Sequence, residues 1–412
     1  MIYGLIGGRL GHSFSREIHA KIADYPYTLR ELAEAELEDF LRRREFEAIN
    51  VTIPYKQAVI PYLDCIDDAA RRIGAVNTIV KRDGRLYGYN TDYSGAEALI
   101  RHAGVEIRGR RVMILGTGGT SHTLHAVAEG MGAADIVTVS RHPSGGKSVS
   151  YEQVDSLCRN TEVILNATPV GMYPDMSGCP LEIDKNRFPD LSGVIDVIYN
   201  PLRTPLIRRA RELGIPAEGG LYMLAAQAVY ASALFRGIPA DKDSIERVFG
   251  AVLSEKQNIV LIGMPSSGKS TVGTCLAERT GKRFVDSDLE IVRQAGASIP
   301  EIFAERGEAG FRKLEREVIA GLSGEQGIIL ATGGGAILNP ANVDCLRANG
   351  RLFFLDRPLE LLTATQDRPL ASDREALERR YRERYSLYVA SADVTIPGYG
   401  TPEEVAERIM AR

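Results

Sequence analysis

The sequence lacks the features that mark several classes of protein. Its five cysteines are scattered through 412 residues, odd in number and never in a C-x-x-C pair. This pattern predicts free thiols in a reducing cytoplasm, with neither a disulfide framework nor a zinc site. A basic excess is missing too, since 50 Lys and Arg stand against 54 Asp and Glu, a net charge of -4. We therefore expect no nucleic-acid partner.

The sequence also lacks a long apolar run. The longest uncharged stretch, Gly219 to Phe235, contains Gln227 and Ser232 and is shorter than the roughly 20 residues that a membrane-spanning helix needs. It predicts a buried helix. The N-terminal MIYGLIGGRLGHS has neither the basic region nor the apolar core of a signal peptide. We expect a cytoplasmic protein with no membrane contact.

Length and patterning predict more than one α/β domain. Dividing 412 residues by about 150 per domain gives about 2.7, hence two or three domains. Short apolar runs alternate with helical patterns, which favours parallel sheets. The pattern restarts near residue 101 and again after the polar segment Ser254–Asn258, the most linker-like stretch of the chain.

The second restart carries a phosphate-binding loop. Residues 263–270 match G-x-x-x-x-G-K-S between an apolar run and a helical pattern, the context that this motif requires. Backbone N–H groups of such a loop surround phosphates at the positive end of a helix. Lys269 would pair with the β- and γ-phosphates, and the Ser270 hydroxyl would ligate Mg²⁺. The ATP-binding residues predicted from the loop are Ser266, Ser267, Gly268, Lys269, Ser270 and Thr271.

Two acidic residues and a glycine run follow this loop. Asp286 and Asp288 end the next apolar stretch, where one carboxylate can hold Mg²⁺ through water and the other can take a proton from an attacking hydroxyl. That arrangement is typical of a small-molecule kinase, and a solvated acidic turn is the other interpretation. Gly333–Gly335 follows a further apolar strand and would allow close approach of a ligand to the backbone.

The C-terminal motifs resemble those of shikimate kinases over about residues 256–412. GMPSSGKST, VDSD, FRKLE, TGGG, DRPL and RERYSLY occur in that family's order and at about its spacings. The resemblance implies that Asp288 binds the shikimate hydroxyls and acts as the base, while Asp286 helps to hold Mg²⁺. Arg312 and Arg384 would clamp the shikimate carboxylate, which suits a planar guanidinium fork better than lysine.

The same resemblance places a lid over the nucleotide. Arg368 in the lid would reach the ATP phosphates, and Gly334 would contact the shikimate ring. The lid segment TATQDRPLASD is short, and Ala364 stands about where the family often has an arginine that stacks on adenine. This departure bears on ATP affinity and on lid closure.

The first restart carries a weaker nucleotide signal. Gly116, Gly118 and Gly119 follow an apolar run, but Ser121 occupies the third glycine position of G-x-G-x-x-G. This pattern also suits a methyltransferase or a tight structural turn. The next predicted strand ends at Ser140-Arg141, where an NAD site would have Asp or Glu. A cation there suits the 2′-phosphate of NADP, although Arg141 as a solvated loop charge is the alternative.

Reduction of a ketone also needs a proton donor for the nascent alkoxide. Lys56 follows a predicted strand over 49–53, and Asp92 lies in GYNTD after the run 86–89. A Lys–Asp pair can carry the proton, because the carboxylate orients the ammonium group. Each residue taken alone is more typical of a surface charge.

The N-terminal motifs resemble those of shikimate dehydrogenases from residue 1 to about 250. GHSFS, NVTIPYK, GAVNT, GYNTD, LGTGG, NATPVGM, DVIYNP and GGLYMLAAQA follow that family's order. The resemblance implies that Lys56 and Asp92 are the catalytic pair, and that neutral hydroxyls hold the substrate carboxylate. The implied substrate residues are Ser13, Ser15, Thr52, Asn77, Tyr199 and Gln227. The implied NADP residues are Gly116, Thr117, Gly118, Gly119, Thr120, Ser140, Arg141, His142, Val197 and Gly220.

Together these resemblances predict a two-enzyme fusion in aromatic amino-acid biosynthesis. An α/β substrate lobe (1–100 with 216–253) and a Rossmann-like NADP lobe (101–215) would reduce 3-dehydroshikimate to shikimate with NADPH. A P-loop kinase domain with a parallel sheet (256–412) would phosphorylate the 3-hydroxyl of shikimate with MgATP. The alternatives are a quinate/shikimate dehydrogenase joined to another small-molecule kinase, or a sensor without catalysis. The oligomeric state stays open, a homodimer included.

Overall fold

The computed structural model describes residues 2–11, 13–143, 148–363 and 374–412. The chain divides into two compact units, Met1–Leu253 and Ser254–Arg412. The described residues form two six-stranded sheets before residue 253 and a five-stranded sheet after it.

The first sheet has the strand order β2-β1-β3-β5-β6-β4. Its strands are β1 (Tyr3–Gly7), β2 (Tyr27–Glu31), β3 (Ala48–Val51), β4 (Cys65–Ile66), β5 (Thr78–Arg82) and β6 (Arg85–Tyr89). Its helices are α1 (Ser15–Ile22), α2 (Glu34–Arg43), α3 (Asp68–Ile73) and α4 (Thr91–His102). The amphipathic α2 places Leu37, Phe40 and Leu41 in the core, as the spacing of one helical face requires.

This sheet is mixed, so the predicted parallel arrangement holds for only part of it. Strands β1, β2 and β3 are parallel, but β5 is antiparallel to both β3 and β6. Asp83 and Gly84 alone separate β5 from β6, and both have positive φ, 51° and 72°. An Asp-Gly pair in this conformation makes a tight hairpin whose twist matches the strands. In the sequence, this dipeptide indicates that β5 and β6 are antiparallel.

The second sheet is parallel throughout, in the order β12-β11-β10-β7-β8-β9. Its strands are β7 (Arg111–Leu115), β8 (Asp135–Val139), β9 (Ser148–Val149), β10 (Val163–Asn166), β11 (Gly193–Asp196) and β12 (Ala217–Glu218). Its helices are α5 (Gly119–Gly130), α6 (Asp155–Cys158) and α7 (Pro205–Glu212). Strand order reverses at β7, so the loop after β7 opens at a topological switch point, the usual ligand crevice of such sheets.

Two helices follow β12, α8 (Leu221–Arg236) and α9 (Lys242–Lys256), and the last three residues of α9 lie beyond the end of the first unit at Leu253. Most of α8 is buried, and it packs against α4, as predicted for the stretch Gly219 to Phe235. The second unit begins at Ser254, the first residue of the predicted linker Ser254–Asn258, but most of this segment is regular structure and not an irregular linker. Its first three residues continue α9, and β13 starts at Asn258, because Glu and Lys are good helix formers.

The third sheet is parallel, in the order β14-β15-β13-β16-β17. Its strands are β13 (Asn258–Ile262), β14 (Arg283–Asp286), β15 (Ile328–Ala331), β16 (Gly350–Asp356) and β17 (Val394–Pro397). Its helices are α10 (Lys269–Thr280), α11 (Ser287–Ala295), α12 (Ile299–Ser323), α13 (Pro340–Asn349), α14 (Arg374–Ser391) and α15 (Pro402–Met410). Because β13, β14 and β15 are neighbours and parallel, the loops after them open at one edge of the sheet.

In the described ranges of the chain, none of the helices combines the length and the apolarity that crossing a bilayer requires.

Candidate active sites

A cavity of about 450 Å³ in the first unit is lined by residues of the first sheet and by segments that follow strands of the second. Every predicted substrate residue and both members of the predicted catalytic pair line this cavity. The predicted residues among its lining are Ser13, Ser15, Thr52, Lys56, Asn77, Asp92, Thr120, Val197, Tyr199, Gly220 and Gln227. The tertiary fold therefore collects side chains that are spread over more than half of the chain.

Lys56 and Asp92 form an ion pair at the cavity wall. Lys56 Nζ lies 2.6 Å from Asp92 Oδ2, and the two side chains are 31% and 19% exposed. Asp92 belongs to the first turn of α4, where the helix dipole favours a carboxylate. The start of α4 is held by Asn90, whose side chain accepts a hydrogen bond from Tyr93 N at 3.1 Å. The pair can thus present an oriented ammonium group to a ligand.

Asn50 lines the cavity as well, and our sequence reasoning missed it. It is buried in β3 and is fixed by Tyr27, whose hydroxyl donates to Asn50 Oδ1 at 2.7 Å. Its amide donates to Thr78 Oγ1 at 3.0 Å, while Asn77 Oδ1 accepts from Thr91 N at 2.7 Å. The sequence contained a signal for Asn50, because an amide side chain inside the apolar run AINV needs hydrogen-bond partners.

The loop between β1 and α1 carries the two predicted serines. Ser13 Oγ donates to Ser15 Oγ at 3.1 Å and accepts from Ser15 N at 3.3 Å. The loop is anchored to β2, because Leu10 N donates to Glu31 Oε1 at 2.7 Å. Arg9 in this loop also lines the cavity, and the sequence reasoning did not single it out.

The glycine loop after β7 leaves room for a phosphate group. Gly116 has φ of 103°, a conformation that favours glycine. Ser121 is buried, and its hydroxyl donates to Gly116 O at 2.6 Å, which explains a serine in the third glycine position. A Cβ atom at Gly118 or Gly119, where α5 begins, would meet nothing within 4 Å. This open space faces backbone N–H groups that suit a diphosphate.

The segment after β8 holds the residues predicted to select NADP. Ser140 Oγ lies 3.4 Å from Thr117 Oγ1 and accepts a hydrogen bond from His142 N at 3.1 Å. Arg141 is exposed and acts on Tyr151, since burial raises the pKa of that phenol while the charge of Arg141 lowers it. A cation is therefore present beside the glycine loop, as an anionic 2′-phosphate would require.

A buried carboxylate ties the ends of β10 and β11 together. Asp196 is fully buried and accepts hydrogen bonds from Asn166 Nδ2 at 3.0 Å, Ile198 N at 3.0 Å and Thr204 Oγ1 at 2.7 Å. Burial raises the pKa of Asp196 to about 6, against the lowering effect of these donors. The sequence reasoning did not identify Asp196, although DVIYNP contains the two lining residues that follow it.

Gly220 is required by the close approach of two backbone segments. A Cβ atom at this position would overlap the carbonyl oxygen of Val197. Both residues line the cavity. Glycine is therefore needed at Gly220 for space, since a side chain would displace Val197 from the cavity wall.

The second unit has a cavity of about 310 Å³ at the carboxyl edge of its sheet. Its lining consists of Ser266, Gly268, Lys269, Ser270, Thr271, Asp286, Asp288, Thr332 and Gly334. Ser267 is buried beside it and accepts a hydrogen bond from Lys269 Nζ at 3.4 Å. Lys269 Nζ also donates to Gly263 O at 2.9 Å and Met264 O at 2.8 Å. The lysine is thus held inside the phosphate loop.

Ser270 and Asp286 meet at the edge of the phosphate loop. Ser270 Oγ donates to Asp286 Oδ2 at 2.7 Å, and Asp286 Oδ1 accepts from Asp288 N at 3.0 Å. The second of these bonds caps α11. A hydroxyl and a carboxylate oxygen at one point match the oxygen ligands that Mg²⁺ takes from proteins.

Two arginines flank the glycine run after β15. Arg384 is buried, and its Nη1 donates to Gly334 O at 3.1 Å. Arg312 lies against Gly335, because a Cβ atom there would overlap its guanidinium group. Arg312 Nη1 donates to Glu315 Oε2 at 2.9 Å. The structure therefore brings both predicted carboxylate-binding arginines to one loop, and predicted Arg368 lies outside the described residues.

Glu315 and Tyr388 support these arginines and were missed. Glu315 is 1% exposed, and burial raises its pKa while the charge of Arg312 lowers it. The Tyr388 hydroxyl donates to Gly334 O. Helical spacing was the available signal, because Glu315 is three residues after Arg312 and Tyr388 four after Arg384, where side chains on a helix are neighbours.

Comparison with known proteins assigns the families. The model of the shikimate dehydrogenase substrate binding domain matches residues 5–79, and the model of shikimate kinase matches residues 265–412. A Clostridium perfringens enzyme named shikimate dehydrogenase (NADP(+)) is 35% identical over 266 residues, which covers 60% of this chain and 97% of that enzyme. The chain belongs to the shikimate dehydrogenase family. It carries a shikimate kinase domain at its C-terminus.

Solved structures agree with the dehydrogenase assignment. A chorismate mutase/shikimate 5-dehydrogenase fusion protein from Clostridium acetobutylicum has a TM-score of 0.57 and 36% identity, and the match covers 61% of this chain and 96% of that one. The shikimate 5-dehydrogenase of Listeria monocytogenes, in complex with shikimate and NAD, has a TM-score of 0.54 and 28% identity, over 60% and 95% of the two chains.

The predicted fusion, its fold class and its two enzyme assignments are thereby confirmed. The dehydrogenase unit has an α/β lobe followed by a Rossmann-like sheet, and the kinase unit has a parallel P-loop sheet. The roles of individual residues in the two cavities stay predictions.

Proposed function

We propose that the dehydrogenase unit reduces 3-dehydroshikimate to shikimate with NADPH, and that the kinase unit transfers a phosphoryl group from MgATP to the 3-hydroxyl of shikimate. The observation that carries the first half is the Lys56–Asp92 ion pair, at 2.6 Å, inside a cavity that is also lined by Thr120 of α5. The second half is supported by Ser270, Asp286 and Asp288 around one cavity.

In the reduction, the chain's own residues bind the substrate and supply the proton. Bound NADPH would supply the hydride. Lys56 Nζ donates a proton to the ketone oxygen as negative charge develops there, and Asp92 orients the ammonium group. Ser13, Ser15 and Asn77 provide polar contacts to the substrate within the same cavity.

NADP is the cofactor that the second lobe fits best. Open space above Gly118 and Gly119 leaves room for a diphosphate at the start of α5. Exposed Arg141, placed after β8 where NAD sites have an acidic residue, supplies the charge for a 2′-phosphate. NAD is the competing cofactor, because it is bound in the Listeria monocytogenes structure.

In the phosphorylation, Asp288 accepts the proton of the 3-hydroxyl of shikimate. The hydroxyl oxygen bonds to the γ-phosphorus of ATP, while the bond between this phosphorus and the leaving ADP breaks. Arg312 and Arg384 hold the shikimate carboxylate, and Lys269 pairs with the phosphates. Ser270 and Asp286 would hold Mg²⁺, which supplies positive charge beside the phosphates. These oxygen donors fit the ion because a hydroxyl and a carboxylate already meet there at 2.7 Å.

A coupled assay on the full chain tests both halves. Dehydroshikimate, NADPH and MgATP are supplied, and shikimate and shikimate 3-phosphate are measured by mass spectrometry. Lys56→Ala should lower reductase kcat by about 10²–10⁴-fold while NADPH binding and kinase activity persist. Lys269→Ala should abolish phosphorylation and spare reduction. An unchanged reductase kcat in Lys56→Ala would remove Lys56 as the proton donor.

Substrate and cofactor panels separate the competing functions. We expect NADP⁺ to be turned over in preference to NAD⁺, because Arg141 is a cation, and shikimate to be turned over in preference to quinate. A clear NAD⁺ preference would contradict the cofactor proposal. Phosphorylation of another hydroxylated acid or of a nucleoside monophosphate in preference to shikimate would contradict the kinase proposal.

We propose the lobe division that the sequence predicts, with α8 and α9 returning to the substrate lobe. It is supported by α8, which packs on α4 of the first lobe. Strand β12 (Ala217–Glu218) pairs with β11, so the NADP-lobe sheet extends beyond the boundary at 215.

A further inference from the structure

The dehydrogenase cavity carries one positive charge that the catalytic pair does not use. Among its lining residues, Arg9, Lys56 and Asp92 are charged. Lys56 and Asp92 neutralise each other at 2.6 Å. Arg9 is left as the net charge of the cavity, which therefore favours an anionic ligand.

Arg9 is placed by a loop whose backbone is held in position. Leu10 N donates to Glu31 Oε1 at 2.7 Å, and Ser13 N donates to Leu10 O at 2.9 Å. The Glu31 carboxylate is thus engaged with the backbone next to Arg9. In the part of the chain that the structure describes, no carboxylate forms an ion pair with Arg9. Its guanidinium group is available to a ligand.

The other polar groups of this loop are neutral. Ser13 Oγ donates to Ser15 Oγ, and the Ser15 hydroxyl keeps its own proton to donate to a carboxylate. A guanidinium group adds a charge-assisted hydrogen bond, which is about twice as strong as a neutral one. In the kinase unit, the residues proposed for the same ligand charge are Arg312 of α12 and Arg384 of α14, which both contact the Gly333–Gly335 loop.

We propose that Arg9 is a cationic contact for the substrate carboxylate and makes the dehydrogenase site selective for anionic substrates. This inference rests on the proposed reduction of dehydroshikimate. It replaces the expectation that neutral hydroxyls alone hold the carboxylate. Arg9 acts in binding and not in the chemical step, because the proton donor of the cavity is Lys56.

Steady-state kinetics of shikimate oxidation by the full chain test this role. Arg9→Gln should raise the KM for shikimate about three- to tenfold, with kcat and the KM for NADP⁺ unchanged, because a contact made equally in ground and transition states affects KM alone. Arg9→Lys should recover most of the loss, since it keeps the charge but not the planar fork.

A neutral substrate analogue isolates the charge. Methyl shikimate has the same ring and hydroxyls but no carboxylate, so Arg9 can give it no charge-assisted bond. In the wild type, kcat/KM should favour the acid over the ester. Arg9→Gln should narrow this ratio by about the same three- to tenfold, because only turnover of the acid is impaired.

The matched control is Arg16→Gln. Arg16 is an exposed arginine of α1 that does not line the cavity, and its substitution removes the same charge from the same region. We expect unchanged KM values for acid and ester. If Arg9→Gln and Arg16→Gln changed the KM for shikimate equally, the change would be due to long-range charge, and the proposal would be overturned.

The failure of this inference and that of the proposed function are distinguishable. Normal wild-type turnover of shikimate, combined with an unchanged KM and an unchanged acid-to-ester ratio in Arg9→Gln, would overturn the role of Arg9 alone. Equal losses of acid and ester turnover would also overturn it, as a structural effect. Absence of wild-type turnover with shikimate would overturn the proposed function and this inference together.

Discussion

Replacing Asp196 with asparagine should remove a pH-dependent cost to the stability of the dehydrogenase unit. Burial raises the pKa of this carboxyl from 3.8 to about 6 in the folded chain. A difference of about two pKa units corresponds to about 3 kcal/mol of unfolding free energy. Asp196 is fully buried, so solvent screening does not reduce this figure.

The direction of the effect follows from which state holds the proton. Between pH 3.8 and about 6, folded Asp196 keeps a proton that the unfolded chain has released. Stability therefore falls as pH rises through this window, and the full cost is present above it. Asparagine does not titrate, so the wild type minus Asp196→Asn difference in unfolding free energy should fall by about 2 kcal/mol between pH 4 and pH 7, because pH 4 already lies just above the unfolded value of 3.8.

Hydrogen exchange on the full chain measures this difference where it arises. Amide protection in peptides spanning β10 and β11 is compared between wild type and variant at the same pH, so intrinsic exchange rates cancel. The substitution also rearranges hydrogen bonds with Asn166 and Thr204. The cost of this rearrangement does not vary with pH, so it leaves the pH dependence of the stability difference unchanged. A difference that stays constant to within about 1 kcal/mol would refute the reasoning.

Asp184 supplies a control of opposite sign. It is half-buried, and backbone N–H donors of Arg187 and Asn186 lower its pKa below 3.8. Its contribution to stability is present above pH 3.8 and is lost as pH falls through its lowered folded pKa. The wild type minus Asp184→Asn difference in unfolding free energy should therefore not fall as pH rises from 4 to 7.

Two further predictions concern a glycine and a buried acid. Gly220→Ala should destabilise the dehydrogenase unit by about 1–3 kcal/mol and raise the KM for NADPH, because the added Cβ overlaps Val197 O. Gly250→Ala is the control, because a Cβ at this position in α9 meets nothing within 4 Å; it should stabilise the chain by about 0.5–1 kcal/mol. Thermal unfolding of both variants measures these changes. Glu315→Gln should raise the kinase KM for shikimate with less effect on the KM for ATP, because Arg312 loses its carboxylate partner at 2.9 Å; equal changes in both KM values would contradict a positioning role.

Local patterns in the sequence were enough to predict the two nucleotide loops. The phosphate loop at 263–270 and the glycine loop at 116–119 are contiguous, and each starts a helix directly after a strand. Backbone N–H groups at such a junction bind phosphate whatever the rest of the fold contains. The antiparallel direction of β5 was not predicted, because the alternation of strands and helices says nothing about the direction of a single strand, although Asp83-Gly84 indicates the hairpin.

The sequence by itself therefore determined the fold class, the two families and the residue types for each reaction, since these depend on short motifs and their order. Only the tertiary structure decided how distant side chains meet. Lys56 and Asp92 are 36 residues apart and lie at 2.6 Å, and Asn166 and Asp196 are 30 apart and share a buried hydrogen bond. The positions of Arg9 and Glu315 were likewise decided there, because burial and the charge balance of a cavity depend on packing between elements that no local pattern records.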